Sequence, residues 1–454
     1  MAKGSFLFIT AVLAVLSFFA SSYAHAGEGE AVLKILLKKG VITETEYNDV
    51  MKEIGGAKGG ETEKTQERVD KVGEKTAEIE KKQLETDEHS NSNVGGRLEH
   101  LEEMSNKTLG NLRIGGYMTT VGQGAINNNN RGNGRQDVID GTFKADFTVE
   151  AKTSENGKLF VDFEGGAGQG VQRTLTTLWG INEAASDSSS HVFILEAWYE
   201  HLFFDKMLTF TVGKMDFTKY FDANAVAGDE TAQFLATGFK KNIAVEFPAN
   251  GPGARLTLSP NDIVSLSLGW QNGRSEWEDL AEGAFLIGEI DITPKFGDLQ
   301  GNYRFYGWTN GTNHMRWDHP ENMKEDGWGV GTSIDQQIAK SLTVFGRVGY
   351  EDPDVYMTKL AWSAGLGISG DLWRRDKDML GLAYGMAHLA GGYEYDLRAR
   401  GINPQAERHA EGFYRISVNE HVALSPDFQY ITNAMGDASR NDVWVLGVRA
   451  HFMF

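Results

Sequence analysis

Lys214, Asp216, Lys219, Asp222, Asn224, Asp229 and Glu230 crowd the stretch VGKMDFTKYFDANAVAGDE, cations interleaved with carboxylates and an amide. Elsewhere, polar and aromatic groups recur at every second position. Examples are Glu196, Trp198 and Glu200, the neighbouring Asp162 and Glu164, and the later Arg347, Arg415, Arg449 and His451. These groups can exchange hydrogen bonds with a polar solute, since arginine offers several donors in a fixed fork and carboxylates accept. Bond-breaking constellations are weak by comparison. GGAGQG (165–170) follows a strand, but its glycine spacing is wrong for a dinucleotide loop and no amphipathic helix follows. His314 and His319 flank HMRWDH without a third ligand. Asp352 and Asp354 read as a solvated loop sooner than a calcium site. No serine elbow stands out. The expectation is a protein that is not an enzyme and has no cofactor or metal.

The elements that must position these side chains are strands. The chain closes on WVLGVRAHFMF. There Trp444, Leu446, Val448, Ala450, Phe452 and Phe454 share one face, with Arg449 and His451 on the other. In TFKADFTVEAK, Phe143, Ala145, Phe147 and Val149 oppose Lys144, Asp146, Thr148 and Glu150. In VFILEAWYEHL, Phe193, Leu195, Ala197 and Tyr199 oppose Ile194, Glu196, Trp198 and Glu200. From Leu112 onward such strands are joined alternately by short turns (TSENGK, FFDK, SPND, PKFGD, DQQIAK, GDLWRRDKD, NEH) and by long polar stretches, among them 214–238. NIAVEFPANGPGARLTL (242–258) reads as one strand with a kinked start or as two short ones, and only the first keeps the alternation.

This pattern predicts an all-β transmembrane barrel of about sixteen antiparallel up-and-down strands over 111–454, with every long loop at one end. Lipid demands that each strand edge be paired, so the last strand must meet the first. Charged faces recur with no helices to cover the opposite faces, so apolar side chains point outward and a polar lumen lies within. Trp270, Trp308, Trp328, Tyr350 and Trp444 lie near strand ends, where interfacial girdles belong.

Composition sets the remaining bounds. The 454 residues contain no cysteine, 54 glycines and 8 prolines. A formal net charge of −19 argues against nucleic acid as a partner and weakens an anion-selective reading. Residues 1–26 read as a secretory signal, with Lys3, an apolar run and Ala24-His25-Ala26. Residues 27–56 read as a helical hairpin, with Gly40 ending one helix and Thr43 and Glu46 boxing the next. Residues 57–110 read as a coiled coil or as a solvated single helix or linker, with Val69, Val72, Thr76 and Ile79 at helical spacing. The front segment is expected in the periplasm.

At this point the chain resembles the carbohydrate-selective porins of the OprB family. The carrying stretches are VGKMDFTKYFDANAVAGDETAQFLATGF, VFGRVGYEDPD, ISGDLWRRDKDMLGLAYG and FYRISVNEHVALSPDFQYI. The resemblance covers about 112–454. It implies a sixteen-stranded barrel in the bacterial outer membrane, a loop that narrows the lumen, and diffusion of sugars. LKILLKKGVITETEY resembles instead the helical piece in front of several porins, phosphate-selective ones included. A sugar channel wants donors and acceptors spread along the path, so that hydroxyls leave water without meeting a deep trap. On that reading Arg347 should govern sugar passage more than gross conductance. The partners implied are membrane lipid, sugars or other small solutes, further copies in a homotrimer, and the cell wall. The rival readings are an anion or phosphate porin and a structural tether that works through its coiled coil.

Overall fold

In the computed structural model, the described residues are 107–109, 111–127, 137–185, 191–324 and 326–454. The signal, the hairpin and the coiled-coil segment lie outside them, except that Lys107–Leu109, at the end of the last, form a short strand paired with Leu112–Ile114. Sixteen long strands form one antiparallel sheet. They are β1 (Leu112–Ile126), β2 (Val138–Lys152), β3 (Gly157–Ala167), β4 (Val192–Phe203), β5 (Leu208–Met215) and β6 (Gly251–Leu258). Next come β7 (Val264–Asn272), β8 (Ala284–Ile292), β9 (Leu299–Asn310), β10 (Gly327–Ala339) and β11 (Leu342–Glu351). The last are β12 (Thr358–Ser369), β13 (Met379–Leu389), β14 (Glu407–Ser417), β15 (Val422–Thr432) and β16 (Val443–Met453). Each strand pairs with its sequence neighbours, and β16 also pairs with β1, from Tyr117 opposite Met453 to Ile126 opposite Trp444. The sheet is therefore closed and leaves no edge for lipid to meet.

The period-two reading of the outer face holds. Ile139, Phe143 and Phe147 on β2, Leu266 and Leu268 on β7, and Trp444, Leu446 and Val448 on β16 are exposed, Leu268 at 64%. Their inward neighbours Lys144, Asp146, Arg449 and His451 are buried. Among the described residues no helix is long and apolar enough to cross a membrane. Spanning therefore falls to the strands.

Four expectations need correction. Ile194 does not share a face with Glu196. A bulge opposite Asp162 and Phe163 leaves Leu195 unpaired, so Ile194 turns outward while Glu196 stays inside. Trp308 is not in an interfacial girdle. It points inward, 3% exposed, and its indole N–H donates to the Ala244 carbonyl at 3.2 Å. NIAVEF is not a strand, because β6 begins only at Gly251 and Ala244 and Val245 are buried within the preceding loop. The inner face is not uniformly polar. Phe285, Ile287, Tyr306, Phe345, Met379, Phe413, Ile431 and Val445 face inward and are buried. An apolar inner wall needs something apolar to cover it, and two long loops supply the cover.

Candidate functional site: the loop-lined lumen

The connection 216–250 between β5 and β6 folds inward, and its own side chains hold its turns. Asp216 accepts from the Thr218 amide at 2.9 Å and hydroxyl at 2.7 Å. Asp229 does the same for Thr231, at 2.7 Å from both groups. The Gln233 side chain accepts from the Gly228 amide at 2.7 Å and donates to the Ala225 carbonyl at 2.9 Å. Backbone groups away from strand partners are thus satisfied locally. The short helix α1 (Thr237–Lys240) follows.

Latches on six strands then fix the loop to the wall. Arg347 on β11 donates to the Asp222 carboxylate at 3.1 Å, the Asp222 carbonyl at 2.9 Å and the Phe239 carbonyl at 2.5 Å. Tyr306 on β9 donates to the same carboxylate at 2.9 Å. Glu289 on β8 accepts from the Asp222 amide at 2.8 Å. Asp335 on β10 accepts from the Ala225 amide at 3.2 Å. Glu411 on β14 accepts from the Leu235 and Ala236 amides at 2.6 and 3.0 Å. Arg449 on β16 donates to the Glu230 and Gln233 carbonyls at 2.7 and 2.8 Å.

The loop between β3 and β4 leans on the first. The amides of Leu178 and Trp179 donate to Glu407 at 2.8 and 2.9 Å, and the Gly238 amide donates to the Trp179 carbonyl at 2.8 Å. Trp179, Phe234, Phe239, Phe345 and Phe413 form one buried apolar cluster. Met215, Phe217, Phe221, Phe285 and Trp308 form another.

Between the loop and the wall lies a cavity of about 650 Å³. Its charged lining is Lys144, Lys219, Lys240 and Arg304 against Asp162, Asp216, Asp229 and Glu230, four of each sign. Tyr117, Phe160, Asn224, Asn302 and Gln300 join them. Every cation there has carboxylate partners. Lys144 meets Glu164 at 3.1 Å and Glu230 at 3.5 Å, and Lys240 meets Glu230 at 3.5 Å and Glu183 at 3.8 Å. Lys219 pairs with Glu196, and Arg304 meets Asp335 at 3.1 Å and Asp291 at 3.3 Å. Burial pushes the Glu230 carboxyl up, but Lys240 and Lys144 outweigh it and hold the group below its usual range.

The residues singled out in sequence fall into three places. Asp216, Lys219, Asn224, Asp229, Glu230 and Asp162 line the cavity. Asp222, Arg347 and Arg449 are sealed beneath the loop. The remainder neither line the cavity nor lie beneath the loop, though Glu196 and Glu164 pair with the lining residues Lys219 and Lys144. Lys214 donates to the Ile194 carbonyl at 2.6 Å, and Trp198 stacks on Phe160 with ring centroids 4.8 Å apart. Glu200 meets Arg255 at 3.2 Å, His451 pairs with the Thr119 hydroxyl at 2.9 Å, and Arg415 donates to Ser417 at 2.7 Å near a short turn. Sequence reasoning missed Glu407 and Glu411. ERHAEGF carries them at period two on the inward phase, but the polar stretch before them reads as loop.

His314 and Glu246 join the connection 311–326 to the inward-folded loop at 2.9 Å, with Tyr356 donating to the same carboxylate at 2.6 Å. The Glu246 hydrogen bond raises the His314 pKa above its ordinary 6.5 against the effect of burial. Burial pushes Glu246 up, but its hydrogen bonds from His314 and Tyr356 leave it below its ordinary 4.5. A raised histidine stabilises most below 6.5 and loses that contribution as pH rises through its folded value. A lowered carboxyl stabilises above 4.5 and loses it as pH falls through its folded value. The contact is therefore fully present between 4.5 and 6.5. Open-channel noise should be lowest in that window and rise on the alkaline side. His314→Asn should flatten the alkaline rise, and an unchanged profile in that variant would remove His314 as its source.

A closed barrel with an apolar outer surface and a loop latched across its interior is an outer-membrane porin. The chain belongs to the carbohydrate-selective porin, OprB family, which matches residues 135–454. The high-pH structure of Pseudomonas putida OprB superposes with a TM-score of 0.64 at 14% identity, over 75% of this chain and 94% of that one, a likeness of fold. Porin AaxA of Chlamydia trachomatis serovar L2 is 24% identical over 245 residues, 51% of this chain and 49% of that protein. Porin AaxA of Chlamydia pneumoniae is 23% identical over 314 residues, 63% of this chain and 68% of that protein. The chain thus spans about half the length of the Chlamydia trachomatis relatives that it matches.

Proposed function

We propose that this porin passes sugars in preference to salts. The balanced lining carries the reading, since four cations face four carboxylates around about 650 Å³. A cavity lining whose own charges cancel gives ions of neither sign an advantage. Its many donors and acceptors suit hydroxyls, and the faces of Tyr117 and Phe160 suit the apolar side of a pyranose. Planar-bilayer recording of the refolded protein tests this. Sugar should make the open steps flicker or fall, and the reversal potential in a salt gradient should lie near zero.

The rival is an anion or phosphate porin, favoured by Lys144, Lys219 and Lys240 in the cavity lining. Their ion pairs weigh against it. Glu230→Gln would remove a partner from both Lys144 and Lys240 and leave one uncompensated positive charge. At roughly 8 Å through water that charge is worth about 0.5 kcal/mol to a passing ion, a two- to threefold tilt toward anions. A wild-type protein already strongly anion-selective would favour the rival. The front segment is proposed to lie in the periplasm, where it would trimerise the barrels or reach the cell wall.

A further inference from the structure

The charges of the cavity lining balance, but its carboxylates are unevenly engaged. Asp216 and Asp229 each accept from the threonine two residues on, and Glu230 is shared between Lys144 and Lys240. Asp162 on β3 is not engaged in this way. It is 1% exposed, and among the described residues no group donates a hydrogen bond to its carboxylate. The cations that act on it are held elsewhere, Lys219 by Glu196 and Lys144 by Glu164 and Glu230. Its diagonal neighbour Asp146 on β2 is 2% exposed and lacks a donor on both oxygens. Burying a carboxylate without a donor costs the fold free energy, so such a group is kept for what it can accept from outside the fold. Among the described residues no three carboxylates or histidines are placed to hold a metal ion.

The surroundings of Asp162 say what would donate to it. Thr148 on β2 and Gly115 on β1 stand in line with it and are small, so the wall is recessed on that side. The next inward position of β3, about 6.6 Å along the strand, is Phe160, half-buried and also in the cavity lining. The Phe160 ring is braced. It stacks on Trp198 with the planes 23° apart, and the Lys158 ammonium lies 5.2 Å from the Trp198 ring. A flat apolar face is thus fixed within one sugar ring's reach of an acceptor that the fold does not use. We propose that Asp162 and Phe160 form a pyranose subsite, in which adjacent sugar hydroxyls donate to the Asp162 carboxylate while the apolar face of the ring lies on Phe160. This deepens the sugar reading above and rests on it. The subsite prefers cyclic sugars to open-chain polyols, which carry the hydroxyls without the face. Arginine and lysine side chains can serve anions and hydroxyls alike, but a carboxylate accepts only from a donor.

Titration of glucose and of glucitol, its open-chain polyol, into planar bilayers holding the full chain tests this. The readout is the concentration that halves the open current. In the wild type glucose should act at the lower concentration. Asp162→Asn should raise the glucose value roughly tenfold, the size of one charge-assisted hydrogen bond. Glu230→Gln removes the same charge from the lining and should tilt the reversal potential alike, yet weaken the glucose effect far less. Phe160→Leu keeps apolar bulk without the flat face. It should raise the glucose value roughly three- to tenfold and cancel the preference over glucitol. The thermal unfolding midpoint of Asp162→Asn should not fall, because an amide is cheaper to bury than a carboxylate without a donor. If Phe160→Leu does not fold, Asp162→Asn and the glucitol comparison still decide the matter. No glucose effect in the wild type would remove the sugar reading, and the subsite with it. A wild-type glucose effect that survives Asp162→Asn, or that Glu230→Gln weakens equally, removes the subsite alone. So does a lowered midpoint in Asp162→Asn, since the carboxylate would then serve the fold. Glucosamine acting at least roughly tenfold more strongly than glucose also overturns it, because the carboxylates would then serve an ammonium.

Discussion

Arg347→Ala is expected to raise single-channel conductance, increase open-channel noise and weaken the effect of added sugar together. The Arg347 guanidinium makes three contacts to the inward-folded loop, two of them to Asp222. Both side chains are sealed, at 1% and 0% exposure. Truncating one partner leaves the other charge buried and unpaired, which costs about 3–5 kcal/mol. The barrel ladder does not depend on this pair, so the cost falls on docking of the loop. At 1.4 kcal/mol per decade, docking weakens by roughly a hundredfold or more. This differs from what the sequence suggested, namely a contact with sugar that changes sugar passage more than conductance. Because Arg347 holds the wall of the cavity and does not line it, both readouts should move. Arg347→Lys should sit between, since an ammonium cannot span the carboxylate and two carbonyls as the guanidinium does. Unchanged conductance and noise in Arg347→Ala would mean that Glu411, Arg449 and the apolar core hold the loop without it.

The outer half of the molecule was legible because lipid imposes one simple rule on it. Every second side chain must be apolar, and rows such as Trp444, Leu446 and Val448 obey. The connections were legible because short turns and long loops alternate. The inner half obeys no single rule. An inward residue can line water, as Asp162 does, or lie under a loop, as Phe413 does, and period-two patterning is blind to the difference. Trp308 shows the cost, since an aromatic near a strand end fits a girdle or an inner core equally well. The bulge at Leu195 was hidden for another reason: one extra residue reverses the faces without altering composition. Of the crowded set from Lys214 to Glu230, the sequence marked the stretch that bends into the lumen. It could not say that Asp222 would turn away from the cavity, because its partner Arg347 lies 125 residues along the chain.

Trp179→Ala is expected to free both inward loops while leaving the barrel standing. The outer surface of a membrane barrel gains little from the hydrophobic effect, because lipid solvates apolar side chains as well as protein does. Inside the lumen the alternative solvent is water, so an apolar cluster there is stabilised as in a soluble protein. Trp179 is the largest member, 1% exposed, with Phe239 edge-on at 5.4 Å. Its indole lies against two glycines. A Cβ on Gly238 or Gly385 would come within 2.3 Å of the ring, so on these two sides no side chain is present to fill the space that truncation leaves. Losing such a side chain costs about 3–5 kcal/mol. The cost should appear as local opening, because the strands keep their own ladders. Trypsin should then cut after Arg173, Lys240 or Lys241 in the folded protein at least roughly a hundredfold faster than in wild type, provided that opening and closing outpace cleavage. Conductance should rise with it, since the two loops share one core and the freed segments include a wall of the cavity. If proteolysis accelerates while conductance holds, the polar latches alone keep the channel wall in place and the apolar core serves only the loop between β3 and β4. If neither changes, the cluster around Trp179 is not what holds the loops inside the barrel.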